Sequence, residues 1–485
     1  MIPSMIHVPD LDHQEQNTLD KLLRQLAAKW PRNKLRTQYY DRKSFFKSLG
    51  IAVPPNLEML DAVLGWPAKA VDVLARRIHL EGFVLPGGDV DSLGIPAMWR
   101  DNRMRVEVPQ ATTSALLHSC AFVATTTGDT AAGEPEILIT TLAADVSTGL
   151  WDPRRRCLSA GLGILDMDDA GRPTEIVMLT PDKIITLRKA GDAWTVERRP
   201  HPLERVPMEP LVYQPRLGRP FGSSRITRAV MSISDSALRT VVRSEVMAEF
   251  FSAPQRYALG VREEWFVDAE GKPKGQWAAI MGRVWGIPRD EDGELPEIGQ
   301  FPQVSMQPHV EHLRMWATLF AGETSLPVSS LGVVQDNPSS AEAIYAAKEE
   351  LVIEAEYAID VFDDAWCRSI LTGIQLRDGL DEIPAELTKL AGRWRDPSTP
   401  SRAAASDAVT KEVGAGILPP DSEVAYERLG YDQTTIDRLV SERRRNEARR
   451  RVSELAAAAR AARETPGVAE MNEPAEGGGE GGDGG

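Results

Sequence analysis

The chain has 485 residues, a formal net charge of −15, 42% hydrophobic residues and only three cysteines. That length exceeds one ordinary domain and that apolar fraction supports a sizeable core, so wholesale disorder is excluded and two to four structural regions are expected. The acidic balance excludes a surface built to grip phosphates throughout, because each neutralised phosphate needs a Lys or Arg. Cys120, Cys157 and Cys367 lie far apart with no CxxC pattern, which excludes a disulfide framework or a thiolate metal site and fits a reducing cytoplasm. The opening MIPSMIHVPD has no basic segment leading into an apolar one, so no secretory signal is expected, and no apolar run approaches the length of a membrane span.

In chain order, residues 11 to 48 read as helix, interrupted at Trp30-Pro31. A loop marked by Gly50 and Pro54-Pro55 leads to a second helix over about 58 to 80, with Trp66-Pro67 near its start. Residues 112 to 124 read as helix running into strand. From about 135 to 215, β-branched runs such as Ile137–Thr140, Glu175–Met178 and Lys183–Thr186 alternate with turns, the pattern of antiparallel strands. A long amphipathic helix is expected over 225 to 252. Ile226, Val230, Ile233, Ala237, Val241, Ala248 and Phe251 form its apolar stripe at 3.6-residue spacing, with Arg225, Arg228, Ser232, Asp235, Arg239 and Arg243 on the opposite face. It ends at Ala253-Pro254, since the residue before proline is disfavoured in helix. A small β-rich insertion with Trp265, Trp277 and Trp285 follows, then a short helix at 309 to 322 and a loop at 323 to 338.

The longest helix is expected from Ser339. Ser339 and Glu342 fit a capping box, in which each side chain satisfies the other's free backbone N–H. Ile344, Leu351, Ala355, Ile359, Phe362 and Trp366 supply its apolar stripe, and Glu349, Glu350, Glu354, Glu356, Asp360, Asp363 and Asp364 its acidic face. A joint at 396 to 401 (DPSTPS) precedes a polar helical region. Arg443, Arg444, Arg445, Arg449, Arg450 and Arg451 form two basic triplets there, balanced by Glu442, Glu447 and Glu454. From Glu464 to Gly485 there are eight glycines, six acidic residues and no basic ones, a composition expected to be disordered.

Catalytic patterns are missing. GDTAAGEP at 128 to 135 has Glu134 and Pro135 where a phosphate loop needs Lys and Ser or Thr. DMDDAG at 166 to 171 lacks a calcium loop's ligands at Ala170 and Val177 and reads as a hairpin turn. Only His309 and His312 share a helical turn, and no third ligand is visible. Neither an enzyme nor a bound cofactor is expected.

The order of these pieces resembles the portal proteins of long-tailed double-stranded DNA phages, particularly those infecting actinobacteria. The matching stretches are Arg36–Asp41 (RTQYYD), Arg76–Phe83, Met98–Asn102, Phe221–Ile226, Ser252–Arg256, Leu326-Pro327 with Leu331-Gly332, and Asn337–Ile344. The resemblance covers most of residues 30 to 370, and its strength lies in the shared order. It implies an α+β portal fold assembled as a ring, typically twelvefold. Residues 1–224 and 339–390 would form the wing, and 225–252 and 309–322 the stem helices, with Ile226, Val230, Ile233, Ala237 and Val241 as stem packing. Residues 253–308 would be the clip, 323–338 the tunnel loop and 391–463 the crown, followed by the 464–485 tail. Pro327, Val328, Ser329, Ser330, Leu331, Gly332, Val333 and Val334 would then face DNA.

It further implies partners in a terminase motor that supplies ATP hydrolysis, a head–tail adaptor, the major capsid and scaffolding proteins, and the duplex passing through, with no membrane. Acidic walls would centre that duplex by repulsion. The competing classes are a nucleic-acid-binding adaptor acting through the arginine triplets and an enzyme of a fold the sequence does not reveal.

Overall fold

Strand-period runs and one leucine-striped helix account for the first part of the molecule. The computed structural model describes residues 2–43, 62–191, 193–251, 256–259, 297–300, 302, 305–333, 341–398 and 402–464. Helix α1 (His13–Tyr40) opens on Asp12, whose carboxylate accepts from the Gln14 and Glu15 amides at 2.8 Å while Glu15 accepts from the Asp12 amide at 3.1 Å. Leu19, Leu22, Leu23 and Leu26 recur at helical spacing and are all buried. They cover a five-stranded antiparallel meander, β4 (Ser147–Asp152), β5 (Cys157–Met167), β6 (Pro173–Leu179), β7 (Lys183–Ala190) and β8 (Ala193–Pro200), paired in sequence order. Alternate residues of its inner strands, Leu162 and Ile164, Ile176 and Met178, Ile185 and Leu187, meet that helix face. Each fully buried leucine contributes roughly 1.5–3 kcal/mol.

α1 does not break at Trp30-Pro31: the helix carries Pro31 inside it and continues to Tyr40. Proline removes one amide from the ladder, and the helix is instead held from the side, where Asn33 donates to the Ala144 carbonyl at 2.9 Å. The second helix, α2 (Trp66–Ala75), is shorter than its sequence pattern, with Pro67 in its first turn where a missing N–H costs nothing. The DMDDAG segment is the β5–β6 turn, closed by the Asp168 carboxylate accepting from the Ala170 and Arg172 amides.

The main core lies on a second sheet. β1 (Leu80–Val84), α3 (Ile95–Asp101) and α4 (Met104–His118) lead into β2 (Cys120–Thr127), flanked by β3 (Ile137–Ala143) and β9 (Met208–Val212) in the order β3-β2-β9. Onto this sheet packs the long α7 (Ala341–Asp378), while α5 (Arg228–Phe251) and α6 (Gln307–Thr324) pack on each other and join the same core, which buries Phe320, Leu351, Ala355, Phe362 and Trp366. Between α5 and α6, β10 (Arg256–Leu259) pairs antiparallel with β11 (Glu297–Gln300); the rest of the insertion, including its three tryptophans, lies outside the described residues.

β12 (Ala391–Trp394) pairs antiparallel with β1, and Asp363 accepts from the Gly392 amide and Trp394 Nε1 at 2.8 and 2.7 Å. This corrects one expectation: Asp363 is not part of a free acidic face. Residues 391–398 belong to the first compact unit, which ends at Ser398. The second unit holds α8 (Arg402–Gly414), α9 (Glu423–Arg428) and α10 (Gln433–Glu464), with Ala405, Val409, Ala425 and Ile436 as its buried apolar residues. Residues 465–485 lie outside the described residues.

Candidate functional site

The helix expected from 225 begins at Arg228, and Arg225 is the centre of the junction beneath it rather than part of its polar face. The chain enters from β9 through Gly222, whose φ of +68° is left-handed and where an added Cβ would lie 2.0 Å from the Tyr213 carbonyl. Only glycine fits there. The turn delivers Ser224, whose hydroxyl donates to the Leu117 carbonyl at 2.6 Å, and then Arg225, with its side chain 4% exposed. The guanidinium donates from Nε to the Ala70 carbonyl of α2, from Nη1 to Tyr213 Oη at 3.1 Å, and from Nη2 to the Thr324 carbonyl at the end of α6 at 2.5 Å. Nη1 also ion-pairs with Glu354 Oε1 of α7, which accepts the Tyr213 hydroxyl too. A planar fork with five donors suits this task, and a lysine ammonium does not. Burial first, then the neighbouring carboxylate, raises the Tyr213 phenol far above its usual range.

The Tyr39-Tyr40 pair closes the same junction. Tyr39 donates to both Asp235 oxygens of α5 at 2.9 Å and Tyr40 to Asp72 of α2 at 2.8 Å. Burial and these carboxylates push both phenols up to about 12. One end of α1 is thereby tied to α5 and α2.

α5 and α6 form an antiparallel hairpin rising from this base: Thr227 meets Glu323, Thr240 lies beside His312, and Met247 meets His309. His312 also lies against Trp316, with ring centroids 5.4 Å apart, so the histidine pair is packing; among the described residues no group of His, Cys, Asp and Glu could hold a metal. Ile226, Val230 and Ala237 are fully buried, as the stripe requires, but Ile233 and Val241 are half-buried and Ala248 is exposed. The inward row is instead Val230, Ser234, Leu238, Val242 and Val246. Ser234 and Thr240 can be buried because their hydroxyls return to their own helix, at the Val230 and Ser236 carbonyls. Val310, Met315 and Leu319 of α6 are 44%, 45% and 49% exposed.

In the expected tunnel loop, residues 323 and 324 still belong to α6, and Val328–Leu331 form a 3₁₀ turn closed by Gly332. Leu331 is buried and Val328 and Val333 pack on the main core, while Ser329 and Gly332 are exposed, Pro327 and Ser330 are half-buried, and Lys69 donates to the Ser330 carbonyl at 2.5 Å. This half of the segment is anchored, not free. Val334 and Ser339 lie outside the described residues, as does the Glu342 side chain, so the capping box does too. Glu354 leaves the expected acidic face for the junction, while Glu349, Glu350, Glu356 and Asp360 are exposed on it. The six arginines of the two triplets on α10 are all exposed, and Arg443 pairs with Glu447 at 2.9 Å.

Two arrangements escaped the sequence reading. Glu15 at the start of α1 pairs with Arg198 at 2.7 Å and Lys183 at 2.8 Å, and these bonds, Arg198 foremost, hold its carboxyl down at about 2. The Arg225 hub is the other. Its one sequence signal is an arginine directly after a Gly-Ser-Ser turn.

Fold and junction together define the class: an α+β fold whose helical hairpin is anchored at its base by a buried ion pair and carries an insertion at its far end. A family model for SPP1 Gp6-like phage portal proteins matches residues 14–446. The portal protein of Mycobacterium phage L5 is 30% identical over 410 residues, covering 81% of each chain, and that of Mycobacterium phage D29 is 30% identical over 408 residues with the same coverage. Among solved structures, the neck of an empty gene transfer agent particle with C6 symmetry aligns at a TM-score of 0.43 and 15% identity, over 79% of this chain and 91% of that one. The native neck with C12 symmetry aligns at 0.40 and 14%, over 73% and 87%. The chain belongs to the SPP1 Gp6-like family of phage portal proteins.

Proposed function

We propose that copies of this chain, twelve in number, close into a ring at one capsid vertex, through which a terminase motor drives DNA inward and from which DNA leaves through an attached adaptor and tail. The ring forms in the host cytoplasm against capsid and scaffolding proteins. The chain supplies the channel and no catalysis of its own. The observation that carries this reading is the α5–α6 hairpin. It keeps Val310, Met315 and Leu319 about half exposed, and Ile233 and Val241 half-buried, along an element fixed at its base. An isolated hairpin has no reason to present such a surface, whereas one of several around an axis covers it with its neighbours. The net charge of −15 suits a conduit that must not bind phosphate tightly.

The test is Ile233→Asp with Val241→Asp. Both side chains are only half-buried within one chain, so the subunit should still fold, while an unpaired charge at a subunit contact costs several kcal/mol. Light scattering should give a folded chain of low mass. Assembly equal to the parent chain's would remove α5 from the ring contacts.

A further inference from the structure

Between β9 and α5 the chain turns back on itself at Arg216-Leu217-Gly218-Arg219, where Arg216 and Arg219 bridge to each other through both backbone hydrogen bonds, 3.2 and 2.7 Å. The turn is tight, yet Leu217 at its tip is fully exposed. A leucine held out by a closed turn gains nothing from its own chain. Behind it lies a cleft of about 590 Å³. Lys29, Arg32 and Arg36 line one wall from a single face of α1, and Arg216, Arg219 and Arg228 line the other. Among the described residues none of these six pairs with a carboxylate. Lys29 lies over the Phe221 ring at 4.6 Å, and Arg36 spends its Nη1 on the His118 carbonyl. In a chain with net charge −15, six converging cations without counter-ions are the signature of a surface completed by something else.

The outer face of α7 has the opposite character. Ile353 and Tyr357, one turn apart, are 58% and 47% exposed. Glu349, Glu350, Glu356 and Asp360 surround them, all exposed and none in an ion pair among the described residues. An apolar centre with an acidic rim matches an apolar tip with a basic rim, as interface centres and rims do. Both patches stand open within one chain, so neither covers the other there.

We propose that the Leu217 turn and its basic cleft dock on the Ile353–Tyr357 face of a second copy of this chain. When each copy offers its two patches to two different neighbours the contact is heterologous, the kind that repeats around an axis and closes into a ring, whereas a mutual exchange between two copies would stop at a dimer. The contact therefore rests on the ring reading and names the residues that carry it. Leu217 packs between Ile353 and Tyr357 of the next copy, while Arg216, Arg219 and Arg32 meet its Glu349, Glu350, Glu356 and Asp360.

The experiment uses the full chain. Parent rings are scored first by electron microscopy; their absence would sink the ring reading and this contact with it. Leu217→Cys with Ile353→Cys in one chain, mildly oxidised, should give a ladder of covalent multimers that reduction collapses. Chains carrying either change alone, mixed, should give dimers and nothing larger. Intact rings with no ladder would overturn the contact while leaving the ring standing. In the second arm, Arg216→Glu with Arg219→Glu should cut ring yield about tenfold or more, and adding Glu356→Lys with Asp360→Lys should restore it. Rings that form normally with the reversed turn but lose affinity for a DNA duplex would assign the cleft to nucleic acid and overturn the proposal.

Discussion

Replacing Arg225 by methionine keeps most of the side-chain volume and removes the charge at the base of the hairpin. The structure sets the size of the effect. Glu354 loses its cation in a site where Arg225 is 4% and Glu354 17% exposed, and Glu354 Oε2 is already buried with no hydrogen-bond partner among the described residues. Breaking a buried pair from one side costs about 3–5 kcal/mol. The carbonyls of Ala70 and Thr324 lose their donor as well, though such losses do not simply add. At about 1.2 °C per kcal/mol for a unit spanning Met1–Ser398, the melting temperature should fall by about 4–6 °C. The double variant Arg225→Met with Glu354→Met should be less damaged than Arg225→Met alone, because no orphaned charge remains inside. Arg225→Lys should not rescue, since one ammonium cannot span carbonyls on two helices together with the Glu354 carboxylate. Thermal melts followed by circular dichroism on the parent, Arg225→Met, Glu354→Met and the double variant close the cycle. A loss under about 1 kcal/mol for Arg225→Met, or strict additivity in the double variant, would refute the hub.

Glu209 of β9 is nearly buried beside Arg205 at 3.5 Å, and burial outweighs that cation, raising its carboxyl to about 7 from an ordinary 4.5. A folded-state value above the unfolded one contributes stability that is complete below about pH 4.5 and is lost as pH rises through 7. Glu209→Gln should therefore melt progressively higher than the parent as pH goes from 5 to 8, and a constant difference across that range would remove Glu209 as the cause. Ser329→Lys with Ser330→Lys adds cations at the outer side of an anchored turn, so folding and ring yield should be unchanged while DNA packaging or retention in assembled particles changes; wild-type packaging and release would show that the turn does not face DNA.

The parts legible in the sequence are those whose pattern is local. The four α1 leucines and the alternation in β5, β6 and β7 state which side is buried within a dozen residues, so helix and meander could be placed from periodicity. The α7 stripe was equally plain, and Leu351, Ala355, Phe362 and Trp366 are buried as it requires. What failed to show depends on partners far away in the chain. Arg225 looks like another charge on an amphipathic helix until Ala70, Tyr213, Thr324 and Glu354 converge on it. The strand Ala391–Trp394 is four residues long, and its pairing partner begins at Leu80. The face of α5 was misjudged through Ser234 and Thr240, which polarity places outside and whose hydroxyls nevertheless find carbonyls on their own helix. The cations of the 590 Å³ cleft are spread from Lys29 to Arg228 and share no motif.

Ring assembly is what every proposed role of this chain requires. Electron microscopy of the purified full chain, concentrated and confirmed as folded by circular dichroism, reads it directly. Closed rings with an axial hole and a single rotational order are the predicted result. A folded chain that stays monomeric at every concentration and salt, or that associates only into twofold dimers or open filaments, would contradict it.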